Sequence, residues 1–251
     1  MTSQNIDKIK FLSSGDGGLV VDFSRIESGV AIVRARLLGQ VIRQNSSAFP
    51  GVRDAIPGLS NLLIQYNPLE TSAAELKRAV NAMLPSLDGD DMASSRHWVV
   101  PVCYGGDYGP DLDEVAKAKG ISADEVITRH AANTLTVAIM GFLPGLGYLK
   151  GVDPSLALPR KSTPRQHVPA LSVGIAMDQT VIYPLASPGG WNLLGRTPVK
   201  LFDPGRDEPV LFRPGDAVSF TPVEAAEFKT LEAAVAAGES IISPLPSGGR
   251  S

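Results

Sequence analysis

Residues 183–198 constrain the fold of this chain more than any other stretch. They read Tyr-Pro-Leu-Ala-Ser-Pro-Gly-Gly-Trp-Asn-Leu-Leu-Gly-Arg-Thr-Pro. Each proline removes a backbone donor and each glycine increases the entropy lost on ordering, so an ordinary helix is excluded and a rigid loop is predicted. The loop is either a structural turn with Trp191 filling the core, or the wall of a site in which Gly190 admits a ligand closely and Arg196 offers a charged, forked donor.

Composition limits the classes of protein to which the chain can belong. Its 251 residues suit one large domain or two small ones, and 43% are hydrophobic, which is enough for a buried core. A net charge of -3 argues against a nucleic-acid surface. Cys103 is the single cysteine, so neither an internal disulfide nor a cysteine-based zinc site is possible. The polar first residues and the absence of a long apolar run lead us to expect a cytoplasmic protein.

The first part of the chain predicts a small α+β domain. A β-hairpin is expected over residues 11–23, a helix over 28–44, two strands over 51–56 and 61–66, and a second helix over 72–84. Thr71 or Ser72 is expected to cap that second helix, and Glu75 lies three residues after Ser72, as in a capping box. Residues 85–95 are rich in proline, glycine, serine and aspartate, so they are predicted to link two domains, 1–92 and 93–251.

The second part of the chain predicts a β-barrel or sandwich with flanking helices. Helices are expected over residues 111–119, 123–133 and 224–237. Many short apolar runs separated by Pro/Gly turns are typical of all-β architecture. The expected strands cover residues 98–104, 135–140, 171–176, 180–183, 199–202, 210–212 and 217–220. Residues 243–251 are predicted to be disordered.

Three further features are candidates for a binding site. Residues 141–149, which include Pro144, are an apolar Pro/Gly loop that is expected to form the rigid wall of a cleft. Arg160, Arg165 and His167 lie close together on proline-stiffened backbone, which suits a carboxylate or phosphate but is also compatible with a solvated basic loop. His130 near a helix end is either a charge that complements the helix dipole or an acid/base group.

Several of these motifs occur together, in the same order, in one known family. The chain resembles the family of the 5-oxoprolinase B subunit, also called allophanate hydrolase subunit 1, which includes a sporulation-kinase inhibitor. The resemblance covers about residues 16–220. The motifs that carry it are Pro101-Val-Cys-Tyr-Gly-Gly106, Gly141-Phe-Leu-Pro-Gly145, Thr163-Pro-Arg165 with Val168-Pro-Ala170, Gln179-Thr180 with Tyr183-Pro184, and Ser187-Pro-Gly-Gly-Trp191 with Gly195-Arg-Thr-Pro198.

The resemblance implies a fold and an activity. It implies an α+β protein with a small N-terminal α+β domain followed by a cyclophilin-like β-barrel domain. It also implies a component that works with partner chains like the C and A subunits of 5-oxoprolinase, uses ATP, cleaves 5-oxoproline to glutamate and is inactive alone. No covalently bound cofactor is implied. The chain has no Walker-type motif and no His/Asp/Glu cluster with metal spacing, so ATP is held by an unconventional site or by a partner, and no metal site is predicted.

Such a reaction assigns roles to the candidate residues. Arg196, with His130 or His167 to move protons, is the expected catalytic group. The residues expected to bind the substrate or to wall its site are Arg160, Arg165, Gln179, Tyr183, Trp191, Gly190 and Pro144. Two alternatives stay open: a regulatory module that inhibits a sensor histidine kinase, and half of a biotin-dependent carboxyltransferase or allophanate-hydrolase-like enzyme.

Overall fold

The chain divides into two compact units. A computed structural model describes residues 7–86 and 96–245, and the internal contacts separate residues 1–91 from residues 92–251. Most of the segment expected to link the domains, residues 87–95, lies outside the described residues. Within the described ranges, none of the helices has the length and the apolar character needed to cross a membrane.

The described residues of the N-terminal unit form a four-stranded antiparallel sheet and two α-helices. Its strands are hydrogen bonded in the order β1-β2-β4-β3, and helix α1 packs on β3 and β4. In chain order the elements are β1 (Lys10–Ser13), β2 (Gly18–Asp22), α1 (Ser28–Gln44), β3 (Val52–Pro57), β4 (Asn61–Tyr66) and α2 (Ala73–Met83).

Local sequence explains both helices of this unit. Ala31, Ala35, Leu38 and Ile42 recur at spacings of three and four, and all four are buried against the sheet. Helix α2 begins after Ser72, whose hydroxyl accepts from the backbone N–H of Glu75 while the Glu75 carboxylate accepts from the Ser72 backbone N–H. The predicted capping box is therefore present.

Across residues 96–245, the C-terminal unit contains a closed seven-stranded barrel, three α-helices and a small second sheet. The barrel order is β10-β7-β6-β13-β5-β12-β9; β13 and β5 are parallel, and the other neighbours are antiparallel. The α+β class with a barrel is thus confirmed. The elements are β5 (His97–Tyr104), α3 (Leu112–Lys119), α4 (Ala123–Ala132), β6 (Leu135–Met140), β7 (Gly147–Lys150), β8 (Arg165–Val168), β9 (Ser172–Ala176), β10 (Gln179–Ile182), β11 (Ser187–Gly189), β12 (Asn192–Arg196), β13 (Ala217–Pro222) and α5 (Ala225–Ala236).

Residues 183–198 are not one loop, as the sequence suggested, but contain two strands. Strand β11 pairs with β8 in the small sheet, and β12 is a barrel strand between β5 and β9. Gly195 makes this close pairing possible, because a Cβ atom there would lie 2.5 Å from the carbonyl oxygen of Cys103. The pairing of β12 with β9 shifts register between Leu193 and Gly195, as at a β-bulge.

Two other expectations for the C-terminal unit are wrong in part. Residues 199–202 and 210–212 do not form strands and share only a bridge between Phe202 and Val210. Pro204 and Pro209 lack backbone donors in the connection between them, which limits any ladder. Leu245, expected to be disordered, donates its backbone N–H to the carbonyl oxygen of His97. Residues 246–251 lie outside the described part of the chain.

Candidate functional site

A cavity of about 110 Å³ lies on the outside of the barrel beside β7 and β10. Val181 and Tyr183 line it, while the intervening Ile182 belongs to the barrel core, so side-chain alternation directs the first two outward. The residues that line it are Phe142, Leu146, Tyr148, Arg160, Val181, Tyr183, Pro188, Gly189, Gly190 and Trp191. Four of the predicted site residues, Arg160, Tyr183, Gly190 and Trp191, therefore come together here.

Arg160 and Trp191 form the charged corner of this cavity. The Arg160 guanidinium carbon lies 5.4 Å from the centroid of the Trp191 ring, within the range of a cation–π contact. Trp191 is almost fully buried, and its ring lies 6.1 Å from that of Tyr148. Arg160 is exposed, and its guanidinium can offer a ligand the forked donor geometry that a carboxylate prefers. This corner suits an anion attached to a small apolar ring.

Tyr183 supplies a hydroxyl that keeps its proton at neutral pH. Burial raises its pKa to about 12, although the neighbouring Arg160 and the backbone N–H of Trp191 act in the opposite direction. The hydroxyl lies against Gly189, where a Cβ atom would be 2.3 Å away. A glycine is therefore required at position 189 for Tyr183 to occupy its place in the wall.

Phe142 is a cavity residue that sequence reasoning did not single out. Its backbone φ is 70°, a left-handed conformation that a bulky residue rarely adopts. The side chain is 67% exposed even though it lines the cavity. The Gly141-to-Gly145 motif marked the loop, but no sequence pattern reveals which of its side chains turns toward the cavity. Pro144, which was expected to wall the cleft, is exposed and does not line it.

Asp111 is the second residue that the sequence did not reveal. Its carboxylate is buried and accepts from Arg165 Nη2 at 2.5 Å, from Lys161 Nζ at 3.0 Å and from the backbone N–H of Leu193 at 2.7 Å. Burial alone would raise the pKa of Asp111, but these three donors outweigh it and hold the pKa below its ordinary value. Asp111 is therefore an anion at neutral pH.

Arg165 is used differently from the prediction. Its Nη2 binds Asp111 and not an open cleft, and its Nη1 is buried without a hydrogen-bond partner among the described residues. His167, two residues further along β8, is exposed and does not line the cavity. Gln179 begins β10 on the same face as Val181 but also lies outside the lining.

Arg196 lies beside helix α5 and not in the cavity. Its Nε donates to the carbonyl oxygen of Ala170 at 3.0 Å, and its guanidinium lies over the Phe228 ring at 5.9 Å. Its Nη2 is 3.7 Å from the Glu232 carboxylate. These contacts describe a residue that connects the end of β12 to α5.

His130 lies inside the end of the barrel. Its Nδ1 is 2.8 Å from the Tyr104 hydroxyl on β5, and its Nε2 is 2.9 Å from the Thr180 hydroxyl on β10, on the opposite side of the barrel. The ring stacks on Phe220 at 4.9 Å. Complete burial lowers its pKa to about 3, so His130 is neutral and does not complement the helix dipole. Both ring nitrogens have partners, and neither faces the cavity.

A larger cleft of about 430 Å³ lies between the Gly105–Gly106 turn and the start of α5. It contains none of the predicted site residues, and carboxylates of Asp107, Glu224 and Glu227 line it. Cys103 also lines this cleft, and burial, together with Glu224, raises the pKa of its thiol. In the described ranges, no group of three or more His, Cys, Asp or Glu side chains is arranged to hold a metal ion.

The fold is a small α+β domain followed by a closed barrel domain, and the cavity on the outside of the barrel carries the exposed guanidinium of Arg160. The sequence profile of the carboxyltransferase domain, subdomain C and D, matches residues 9–212. This chain belongs to that family, as its motifs predicted. The solved structure of TTHA0988 is similar, with a TM-score of 0.73 and 38% identity; it covers 83% of this chain, and this chain spans 40% of TTHA0988.

Two curated relatives share a name. The 5-oxoprolinase B subunit of Bacillus subtilis is 40% identical over 190 residues, which cover 72% of this chain and 79% of the relative. The 5-oxoprolinase B subunit of Escherichia coli O157:H7 is 43% identical over 173 residues, which cover 69% of this chain and 79% of the relative.

Proposed function

We propose that this chain is one component of an ATP-dependent complex that hydrolyses 5-oxoproline to glutamate, and that the Arg160–Trp191 cavity holds the 5-oxoproline. The relatives named as B subunits of 5-oxoprolinase support the first part. The cavity supports the second, because a single cation lies at one corner of apolar aromatic walls. 5-Oxoproline has the matching chemistry: a compact lactam ring that carries one carboxylate.

Each wall of the cavity has a function in this proposal. Arg160 pairs with the substrate carboxylate, and the lactam ring lies against Trp191 and Tyr148. Tyr183, which stays protonated, donates to the lactam oxygen, where negative charge grows as the amide is attacked or phosphorylated. Phe142 covers the exposed side and reduces the access of water.

The same cavity does not fit a nucleoside triphosphate. At about 110 Å³ it is far smaller than the roughly 300–1,000 Å³ of pockets for drug-sized ligands, and it offers one cation where a triphosphate needs several donors. In the larger cleft, the carboxylates of Asp107, Glu224 and Glu227 oppose phosphate binding. We therefore assign no step on the nucleotide to the residues of these two pockets.

The composition of the cavity also supports a need for partner chains. Among the residues that line it, none carries a carboxylate or an imidazole. Tyr183 keeps its proton at neutral pH, and a guanidinium such as that of Arg160 offers only N–H donors. Both residues therefore bind and orient a ligand but do not accept a proton from water. Activation of the amide and of the attacking water then falls to partner chains like the A and C subunits of 5-oxoprolinase, and the chain alone is inactive.

The test is reconstitution. The chain is purified alone and together with A-like and C-like partner chains, and phosphate release from ATP is measured with and without 5-oxoproline. We expect 5-oxoproline to stimulate ATP hydrolysis and to yield glutamate only when all the chains are present. Absence of both from the complete mixture would overturn the proposal.

The family also favours a second candidate, half of a carboxyltransferase, because its profile bears the carboxyltransferase name. Adding a biotinylated carrier protein and bicarbonate to the same mixture separates the two candidates. Activity that depends on the carrier, with no response to 5-oxoproline, would favour the carboxyltransferase. The kinase-inhibitor alternative predicts co-purification of a sensor kinase in place of the enzyme's other chains.

A further inference from the structure

We propose that Asp111 is a positioning residue that fixes the position of Arg160 relative to Trp191, so that the cavity presents the Arg160 guanidinium to its ligand in one place. Asp111 is 49 residues from Arg160 in sequence and does not line the cavity. It acts through three neighbours: Lys161, Arg165 and the backbone of Leu193. The kinetic part of its test rests on the proposed function, whereas the spectroscopic part does not.

The position of Asp111 in its own helix supports this role. Asp111 is the N-cap of α3, and aspartate is among the best residues for capping a helix with its side chain. Its carboxylate nevertheless makes no capping hydrogen bond. Both oxygens are used elsewhere: Oδ1 binds the two cations and Oδ2 binds the Leu193 N–H. The side chain thus connects the start of α3 to the cavity wall and leaves the helix end uncapped.

The backbone is held by a hydrogen bond on each side of Arg160. On its N-terminal side, the Pro159 carbonyl oxygen accepts from Asn192 Nδ2 at 3.0 Å. On its C-terminal side, the backbone N–H of Lys161 donates to the Gly190 carbonyl oxygen at 2.7 Å. These two bonds join the backbone around Arg160 to the residues on either side of Trp191. Asp111 holds the same two segments together, through Lys161 and Leu193.

The charges of this segment also favour a carboxylate at position 111. Arg160, Lys161 and Arg165 are three cations within six residues, and their mutual repulsion would push Arg160 and Lys161 away from Arg165. The buried Asp111 carboxylate offsets this repulsion at the centre of the group, while Glu114 binds Lys161 from the exposed side. A neutral Asp111→Asn side chain removes the buried share of this compensation, and its amide N–H faces at least one of the donors from which the carboxylate now accepts a hydrogen bond.

Asp216 provides a matched control in the same unit. It is buried like Asp111, and its carboxylate also binds an arginine (Arg96, at 2.6 Å) and a backbone N–H (that of Arg213, at 2.9 Å). It accepts from Trp98 Nε1 at 3.0 Å and does not line the cavity. Asp216→Asn therefore reproduces the loss of a buried carboxylate without touching the Arg160 segment.

The first test uses the two tryptophans of the chain as separate reporters. The chain is labelled with 5-fluorotryptophan, and its two ¹⁹F resonances are assigned with Trp98→Phe. We expect Asp111→Asn to shift or broaden the Trp191 resonance and to leave the Trp98 resonance in place, while Asp216→Asn does the reverse. If Asp111→Asn does not fold, Arg165→Gln breaks the same contact from the other side and carries the test. An unchanged Trp191 resonance would overturn the proposal.

The second test uses the reconstituted complex. Asp111→Asn should raise the KM for 5-oxoproline about tenfold and leave kcat within about twofold, because a displaced Arg160 weakens binding and takes no part in proton transfer. Asp216→Asn should leave KM unchanged. Equal KM values for wild type and Asp111→Asn, or equal increases for both variants, would overturn the positioning role. If wild type shows no activity with 5-oxoproline, the proposed function fails, and the fluorine spectra still decide the role of Asp111.

Discussion

Lowering the pH from 7 to 4 is expected to reduce the free energy of unfolding of the C-terminal unit by about 3 kcal/mol through His130 alone. The folded pKa of about 3 lies below the unfolded value of 6.5, because the ring is completely buried. Between these values the unfolded state binds more protons than the folded state. The stabilisation is therefore fully present above about pH 6.5 and is lost as the pH falls toward 3.

Urea unfolding at pH 7, 6, 5 and 4, followed by tryptophan fluorescence, measures this loss. The signal reports on the C-terminal unit, because both tryptophans lie in that unit. His130→Gln is the matched variant, since its amide can bond Tyr104 and Thr180 but does not titrate. The free energy of unfolding of this variant at pH 7 is expected to be about 1 kcal/mol lower than that of wild type, because the variant lacks the stacking of the His130 ring on Phe220. Asp111, whose pKa is lowered, makes both proteins sensitive to acid, so the difference between the two curves isolates His130. Parallel curves would show that His130 is not buried in its neutral form.

Gly109→Ala is expected to destabilise the C-terminal unit by at least about 3 kcal/mol and to prevent accumulation of folded protein. A Cβ atom at position 109 would lie 1.9 Å from the carbonyl oxygen of Leu194 and 2.2 Å from its carbonyl carbon. These are backbone atoms of barrel strand β12, and no rotamer change relieves the overlap. The same carbonyl oxygen accepts from the backbone N–H of Gly105 at 3.0 Å. Relief would require β12 to move away from the turn that follows β5.

Gly141→Ala is the control for this substitution. A Cβ atom at Gly141 would have no neighbouring atom within 4 Å, and the residue has no left-handed φ, so its replacement should change stability by less than about 0.5 kcal/mol. Soluble yield and urea midpoints of the two variants give the comparison. Equal stability of Gly109→Ala and Gly141→Ala would contradict the close packing of β12 against the 105–109 turn.

Helices were predictable because their signals are local. The spacing of Leu38 and Ile42 and the Ser72–Glu75 capping box lie within a few residues of the elements they specify. Strand β12 was not predictable in this way. Its glycine and flanking prolines are typical of a loop, and it becomes a strand because Gly195 allows β5 to approach closely. The close pairing of β5 and β12 is a tertiary contact, which the residues around β12 alone do not predict.

The candidate site, like the fold, was predictable from sequence only in part. The Pro/Gly motifs led to the prediction of one site for Arg160, Tyr183, Gly190 and Trp191. The cavity is lined by all four, and their role in binding stays a prediction. The motifs did not reveal Asp111. From sequence, an aspartate at a helix N-cap is expected to cap that helix, whereas the Asp111 carboxylate binds Lys161 and Arg165, which are about 50 residues away along the chain. His130 and Arg196 had plausible chemistry in sequence, but burial and the packing of α5 place them elsewhere.

The dependence of ATP hydrolysis on 5-oxoproline concentration, in the reconstituted complex, tests the assignment of the substrate to the Arg160–Trp191 cavity. Arg160→Gln and Arg196→Gln are compared with wild type. Loss of a charged hydrogen bond to the carboxylate should raise the KM of Arg160→Gln roughly 10- to 100-fold. The KM of Arg196→Gln should stay within about threefold of wild type, because Arg196 contacts Ala170 and Phe228 outside the cavity. An unchanged KM for Arg160→Gln together with a large increase for Arg196→Gln would contradict the assignment and place the substrate beside α5.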